Sequence, residues 1–151
     1  MGTRRSPLSA VCCCLVLALA VARGSHAGQQ EDPKKKAQRV TSYVLLAEAI
    51  TRVGIQVGAM LDQHPYDPAL TRYARDLGRL HAKAIEKLTP PEGAEALHES
   101  FKAAVLDFSK AAEAYCAADY TTARRHRDAC VRDFTKALAE VAKLKREGAI
   151  P

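Results

Sequence analysis

The sequence predicts an all-α protein, an antiparallel up-down-up-down four-helix bundle that follows a cleaved signal peptide. Three observations lead to this prediction. The N-terminus has the layout of an export leader, apolar residues recur every three or four positions along four segments, and Pro and Gly cluster at the breaks between those segments. The absence of Trp and the few aromatic residues are typical of helices rather than of a sandwich or barrel.

Residues 1–27 predict the signal peptide. Arg4 and Arg5 form a basic start, residues 11–22 are apolar and uncharged, and a cut before Gly28 has small residues at positions −3 and −1. The apolar run is shorter than the roughly 20 residues that a bilayer-spanning helix needs. We therefore expect export to the periplasm or the extracellular space, with no stable membrane insertion once the leader is removed.

Two variants of this export route stay open. Cys12–Cys14 lie at the start of the apolar run rather than at the cut, which disfavours a lipoprotein. The Arg4-Arg5 pair partly matches a twin-arginine signal, although Pro7 fits that motif poorly.

After the leader, residues 28–33 form a polar tether and residues 34–148 form one bundle domain, long enough to bury a core. Cleavage removes three of the 23 basic residues and none of the 17 acidic ones, so the net charge falls from +6 to +3. This small excess is spread along the chain apart from two short basic runs, residues 34–36 and 124–127. Each run is either a solvated helix face or a site for an anionic surface or lipid headgroup, and no nucleic-acid-binding motif accompanies them. We therefore expect no nucleic-acid partner.

The first predicted helix starts at Asp32-Pro33, where Asp is the N-cap and Pro occupies the first turn. Its apolar positions alternate at intervals of three and four: Val40, Tyr43, Ala47, Ile50, Gly54, Val57 and Leu61. Gly54 and Gly58 lie on or near this face. We expect them to permit close helix approach, at about 1 kcal/mol each relative to Ala.

The second helix follows the break at residues 63–68, where Asp67-Pro68 repeats the cap-then-Pro start. Residues 89–93 and 117–121 form the next two breaks, and Gly148 ends the fourth helix. The second stripe is Leu70, Ala74, Leu77, His81, Ala84 and Leu88. The third is Leu97, Phe101, Ala104, Phe108, Ala111 and Tyr115. The fourth is Ala123, Cys130, Phe134, Ala137, Val141 and Leu144, with Arg127 as the polar exception.

Helices of similar length joined by short loops favour an antiparallel bundle. The alternation of three and four predicts left-handed, coiled-coil-like packing near +20°.

His81 and His98 form the first candidate site, because the second and third helices place them at similar depth. Two inward histidines could ligate haem or a transition metal. The alternative is a pair of interfacial histidines with an ordinary structural role. No Cys-x-x-Cys-His motif is present, which excludes covalent c-type haem. Met60 lies too far along the first helix to be a good partner.

Cys116, His126 and Cys130 form the second candidate, a soft metal site to which Asp119 or His64 could add a ligand. Here too a structural alternative exists, since Cys130 fits the apolar stripe. A Cys116–Cys130 disulfide is disfavoured. An antiparallel turn near residue 119 offsets the two positions by about seven residues, roughly 10 Å, and a disulfide needs Cα atoms within about 7 Å.

The sequence contains no recognisable catalytic motif, so we predict no catalytic residues and no resident cofactor. The leading hypothesis is an exported, non-enzymatic protein with a binding or structural role, which contacts a protein partner through its helix faces. A haem- or metal-binding bundle is the alternative, and an enzyme of unrecognised type is third.

Overall fold

A computed structural model describes residues 32–150, which form four α-helices and no strand. The helices are α1 (Pro33–Gln63), α2 (Pro68–Lys87), α3 (Glu95–Cys116) and α4 (Tyr120–Arg146). They pack against one another around a shared apolar core, which confirms the all-α, four-helix prediction for this part of the chain. The predicted signal peptide and residues 28–31 of the predicted tether lie outside the described residues.

Three helices begin at an aspartate, and two of these starts were predicted from the sequence. The side chains of Asp32 and Asp67 accept hydrogen bonds from first-turn backbone N–H groups, and Pro33 and Pro68 occupy the first helical positions. Asp119 caps α4 in the same way. These carboxylates satisfy N–H groups that would otherwise have no partner within the helix.

Helix α3 begins differently. Its N-cap, Ala94, offers no side-chain acceptor. The Glu95 carboxylate instead accepts from the backbone N–H of Gly93 at 2.9 Å. Gly93 has a φ of 91°, a left-handed conformation that glycine adopts without a steric penalty. The sequence Pro-Pro-Glu-Gly therefore ends one segment and turns the chain into the next.

Helix α3 is the central element of the packing. Its closest approaches are to α2 and α4, whereas α1 contacts all three other helices less extensively. The largest fully buried side chains are Phe101, Leu97 and Val105 on α3 and Ile85 on α2. All predicted stripe positions of α1 are buried, as are those of α4 apart from the polar exception Arg127.

The buried face of α2 is rotated relative to the predicted stripe. Leu70, Ala84 and Leu88 are only partly buried. Thr71, Gly78 and Ile85 are buried instead. The reason is close packing on α3: a Cβ atom added to Gly78 would lie 2.9 Å from the Cα atom of Ser109.

The buried face of α3 is wider than predicted, because other helices pack on more than one side of it. The five stripe positions from Leu97 to Ala111 are buried, and His98, Val105 and Ala112 are buried beside them. Tyr115, the last predicted position, is only partly buried.

Helix α1 is the one helix among the described residues that is long and apolar enough to cross a membrane by length and composition alone. Its most apolar 18-residue window has a mean hydropathy of 1.5, and 39% of that window is buried against the other helices. The core helix of a soluble protein also meets this criterion. Leu45, Ile55 and Met60 remain about half exposed on its surface.

The two glycines Gly58 and Gly78 should respond in opposite ways to alanine. Gly58→Ala adds a methyl group to open space in a helix, so we expect it to stabilise the protein by about 0.5–1 kcal/mol. Gly78→Ala forces a methyl group against the Ser109 backbone, and we expect a loss of about 1–3 kcal/mol. Urea unfolding followed by circular dichroism measures both values. A Gly78→Ala variant as stable as the wild type would contradict the close approach of α2 and α3.

Candidate functional site

A groove lies between α1 and α4, and α3 forms its floor. Its volume is about 570 Å³. The floor is apolar because Phe108, Ala111 and Ala112 are buried residues of α3. The sides are formed by apolar residues that remain accessible, chiefly Ile55 on α1 and Val131 on α4, which are 51% and 55% exposed. The groove is therefore an accessible cavity that reaches the core.

The two glycines of α1 have different roles in this groove. A Cβ atom at Gly54 would lie 3.4 Å from the ring of Phe134, so Gly54 does allow close contact with α4. A Cβ atom at Gly58 would have no neighbour within 4 Å. The expectation that both glycines permit close approach is therefore correct for Gly54 and wrong for Gly58. The missing side chain at Gly58 leaves space in the groove.

One end of the groove is polar and links three helices. Tyr115 Oη on α3 donates to Asp62 Oδ1 on α1 at 3.2 Å. Arg127 Nη1 on α4 donates to the same Asp62 oxygen at 2.6 Å. Arg127 also donates through Nε and Nη2 to Asp128 Oδ1, at 3.2 and 3.0 Å. A single guanidinium therefore holds both carboxylates that line the groove.

The protonation states at this end are fixed by the same contacts. Hydrogen bonds to Asp62 and then Asp128 raise the pKa of Arg127 further above its ordinary range. Burial raises the pKa of Tyr115, and the negative charge of Asp62 adds to this effect. Arg127 therefore stays cationic, and Tyr115 stays a neutral donor.

Cys130 lines the groove as a buried neutral thiol. Burial raises its pKa to about 12, with smaller contributions from the charges of Asp107 and Asp133. A thiol with this pKa is not a thiolate nucleophile near neutral pH. Cys116, the last residue of α3, is only partly buried, and both thiols are free in the structure.

A second cavity, the arginine cleft, adjoins the groove. It has a volume of about 460 Å³ and is lined by Tyr120, Thr121, Arg124, Arg125 and Asp128. Asp128 also lines the groove, so the two cavities share a wall.

The predicted soft metal ligands have different surroundings in the structure. His126 Nδ1 lies 2.8 Å from Asp107 Oδ1, and Cys130 faces the core. Within residues 32–150, no three His, Cys, Asp or Glu side chains form a group that could hold a metal ion. The structure therefore does not bring Cys116, His126 and Cys130 together as a ligand set, because His126 pairs with a carboxylate and Cys130 packs as an apolar residue.

The predicted histidine pair is buried on two helices. His81 on α2 is 4% exposed and His98 on α3 is 6% exposed. His98 Nδ1 lies 2.6 Å from the hydroxyl of Tyr43 on α1, which therefore occupies one of its two ring nitrogens. Burial raises the pKa of Tyr43, with a further contribution from Glu99, so the hydroxyl stays protonated.

Comparison of the chain with protein-family models, curated proteins and solved structures found no match.

Sequence reasoning missed the groove and its polar end. The sequence did contain one signal of the polar end, because Arg127 is the one polar residue in the fourth apolar stripe. A charged residue on a buried face needs a partner, and the partner proves to be Asp62, 65 positions away. Ile55 and Val131, apolar residues outside the predicted stripes, were a second signal.

The buried histidines predict how stability depends on pH. Burial lowers the pKa of His81 and of His98 below the ordinary value of about 6.5, so the unfolded chain binds protons more readily than the folded protein. We expect the free energy of unfolding to fall as the pH drops below about 6.5. Urea unfolding at pH 7.5, 6 and 5 measures this, and His81→Gln should reduce the loss. Equal stability at pH 7.5 and pH 5 would refute the prediction. The capping carboxylates of Asp67 and Asp119, with lowered pKa values, titrate in a separate, more acidic range.

Proposed function

We propose that the protein is an exported, non-enzymatic binding protein that holds a small apolar molecule in the groove between α1 and α4. The observation that supports this is the groove itself. Its volume of about 570 Å³ lies within the roughly 300–1,000 Å³ typical of small-molecule sites. Its apolar floor and few convergent polar groups are also typical of such sites. The sequence-based hypothesis of a protein partner that contacts the exposed helix faces is a separate proposal, which this groove neither requires nor contradicts.

The groups at the groove favour binding over catalysis. Arg127 is engaged by two carboxylates, and the pKa of Cys130, raised to about 12, keeps its thiol protonated. A catalytic nucleophile or base needs a pKa nearer to the working pH.

The proposal includes the antiparallel up-down-up-down arrangement. The Tyr43–His98 contact joins the first half of α1 to the start of α3, and Tyr115–Asp62 joins their ends, so these helices run in the same direction. The Asp62–Arg127 contact joins the end of α1 to the start of α4, which indicates opposite directions. Short loops between consecutive helices support the same topology.

A haem- or metal-binding bundle is the competing function. It is supported by the burial of both His81 and His98, which are 4% and 6% exposed. An absorption spectrum and a metal analysis of the protein purified with its native contents distinguish the two. A Soret band or a stoichiometric transition metal would favour the competing function.

A side chain that fills part of the groove should weaken binding without unfolding the protein. Gly58→Leu places a side chain in open space in the groove, and Ala49→Leu adds the same side chain at an exposed position of α1 outside it. The neutral dye N-phenyl-1-naphthylamine, which fluoresces in apolar sites, reports binding. We expect Gly58→Leu to weaken dye binding at least about tenfold, or 1.4 kcal/mol, and Ala49→Leu to leave it unchanged. Thermal unfolding of both variants controls for folding. An equal effect of Gly58→Leu and Ala49→Leu on dye binding would contradict binding in the groove.

Export predicts a defined N-terminus. Cleavage after Ala27 should give released protein that begins at Gly28. Intact-mass spectrometry of protein from the periplasm and from the medium measures this. Released protein that retains Met1 would contradict export through a cleaved leader.

A further inference from the structure

We propose that the ligand is a single-chain anionic amphiphile, whose apolar tail lies in the groove and whose acidic head lies in the arginine cleft. This inference rests on the proposed binding function and specifies the chemistry of the ligand. It follows from the way the two cavities adjoin and from the charges that line them.

The two cavities differ in the charged side chains that line them, and they share one lining residue. The groove has an apolar floor, whereas the arginine cleft is lined by Arg124 and Arg125 and contains no aliphatic side chain larger than threonine. Asp128 lines both cavities. Tyr115 of the groove and Tyr120 of the cleft are also in contact, with ring centroids 6.2 Å apart. A molecule with an apolar part and a polar part fits this arrangement better than a uniformly apolar one.

The charges favour an anionic head. Both carboxylates of the groove, Asp62 and Asp128, are already paired with Arg127. Within residues 32–150, Arg124 and Arg125 form no ion pair with a carboxylate, and neither does Arg132 at the edge of the groove.

Asp119 is influenced by the charge of Arg125, but its carboxylate is occupied in capping α4. Free guanidinium groups therefore remain beside a cavity whose carboxylates are engaged. Guanidinium binds carboxylate and phosphate groups well, since its N–H groups match their oxygens in pairs.

Three tyrosine side chains lie where the tail of the proposed ligand would meet its head. Tyr66, which is 78% exposed, packs edge-on against Tyr120 with ring centroids 5.4 Å apart. Together with Tyr115, these residues form a row of rings at the end of the groove. Rings of this kind contact methylene groups with one face and hold polar atoms at their tips, as at membrane interfaces.

Four ligands with the same tail and different heads test this proposal: dodecanoate, dodecyl phosphate, dodecanol and dodecylammonium. Each is titrated by calorimetry below its micelle concentration. We expect the two anions to bind at least about tenfold more tightly than dodecanol, and dodecylammonium to bind most weakly. The double variant Arg124→Gln/Arg125→Gln should bind the anions only as tightly as dodecanol, with dodecanol binding unchanged.

The matched control is Lys34→Gln/Lys35→Gln, which removes the same charge from exposed residues of α1 outside both cavities. It should leave the preference for anions intact. Equal loss in both double variants would show a general charge effect and overturn the assignment of the head to the cleft.

The anionic head would be refuted if dodecanol bound as tightly as the anions, or if dodecylammonium bound most tightly. Either result would leave the proposed binding function intact. Failure of all four ligands and of the neutral dye would refute the proposed function itself.

Discussion

The short distance between α3 and its two closest neighbours determines where space is left in this protein. Ala104 and Ala112 are fully buried on α3, and Gly78 of α2 lies directly over the backbone of Ser109. Such small residues allow α2 and α4 to pack close to α3. Helix α1 presents larger side chains, including Tyr43, and has fewer close backbone contacts with the other three. The groove occupies the space that this wider spacing leaves between α1 and α4.

Polar contacts compensate for the looser packing of α1. Tyr43 bonds to His98 near one end of the helix, and Asp62 bonds to Tyr115 and Arg127 at the other. Burial of a polar group is costly unless it is hydrogen-bonded, and within residues 32–150 no side-chain N or O atom that is completely shielded from solvent lacks a partner. These contacts orient α1 without close backbone packing.

Much of the fold could be predicted from local patterns. Asp-Pro starts located the beginnings of α1 and α2. Three-four periodicity located the buried faces of α1 and α4 well, because each of these two helices buries one regular face. The periodicity misplaced the buried face of α2, because the close approach at Gly78 has no signature in the local sequence. It also underestimated the width of the buried face of α3, because packing on several sides has no such signature either. The groove was not predicted, because it depends on distances between helices and on pairs such as Asp62–Arg127, which lie far apart in the chain.

The groove has two fixed ends. The Phe134 ring contacts Gly54 at one end, and the Asp62–Arg127 pair stands at the other. These positions on α1 are separated by eight residues, or about 12 Å of helix. Each methylene buried within that span contributes about 0.8 kcal/mol, and a methylene beyond it contributes little. For the proposed amphiphile, affinity should therefore rise with the length of the tail up to this span and then reach a plateau.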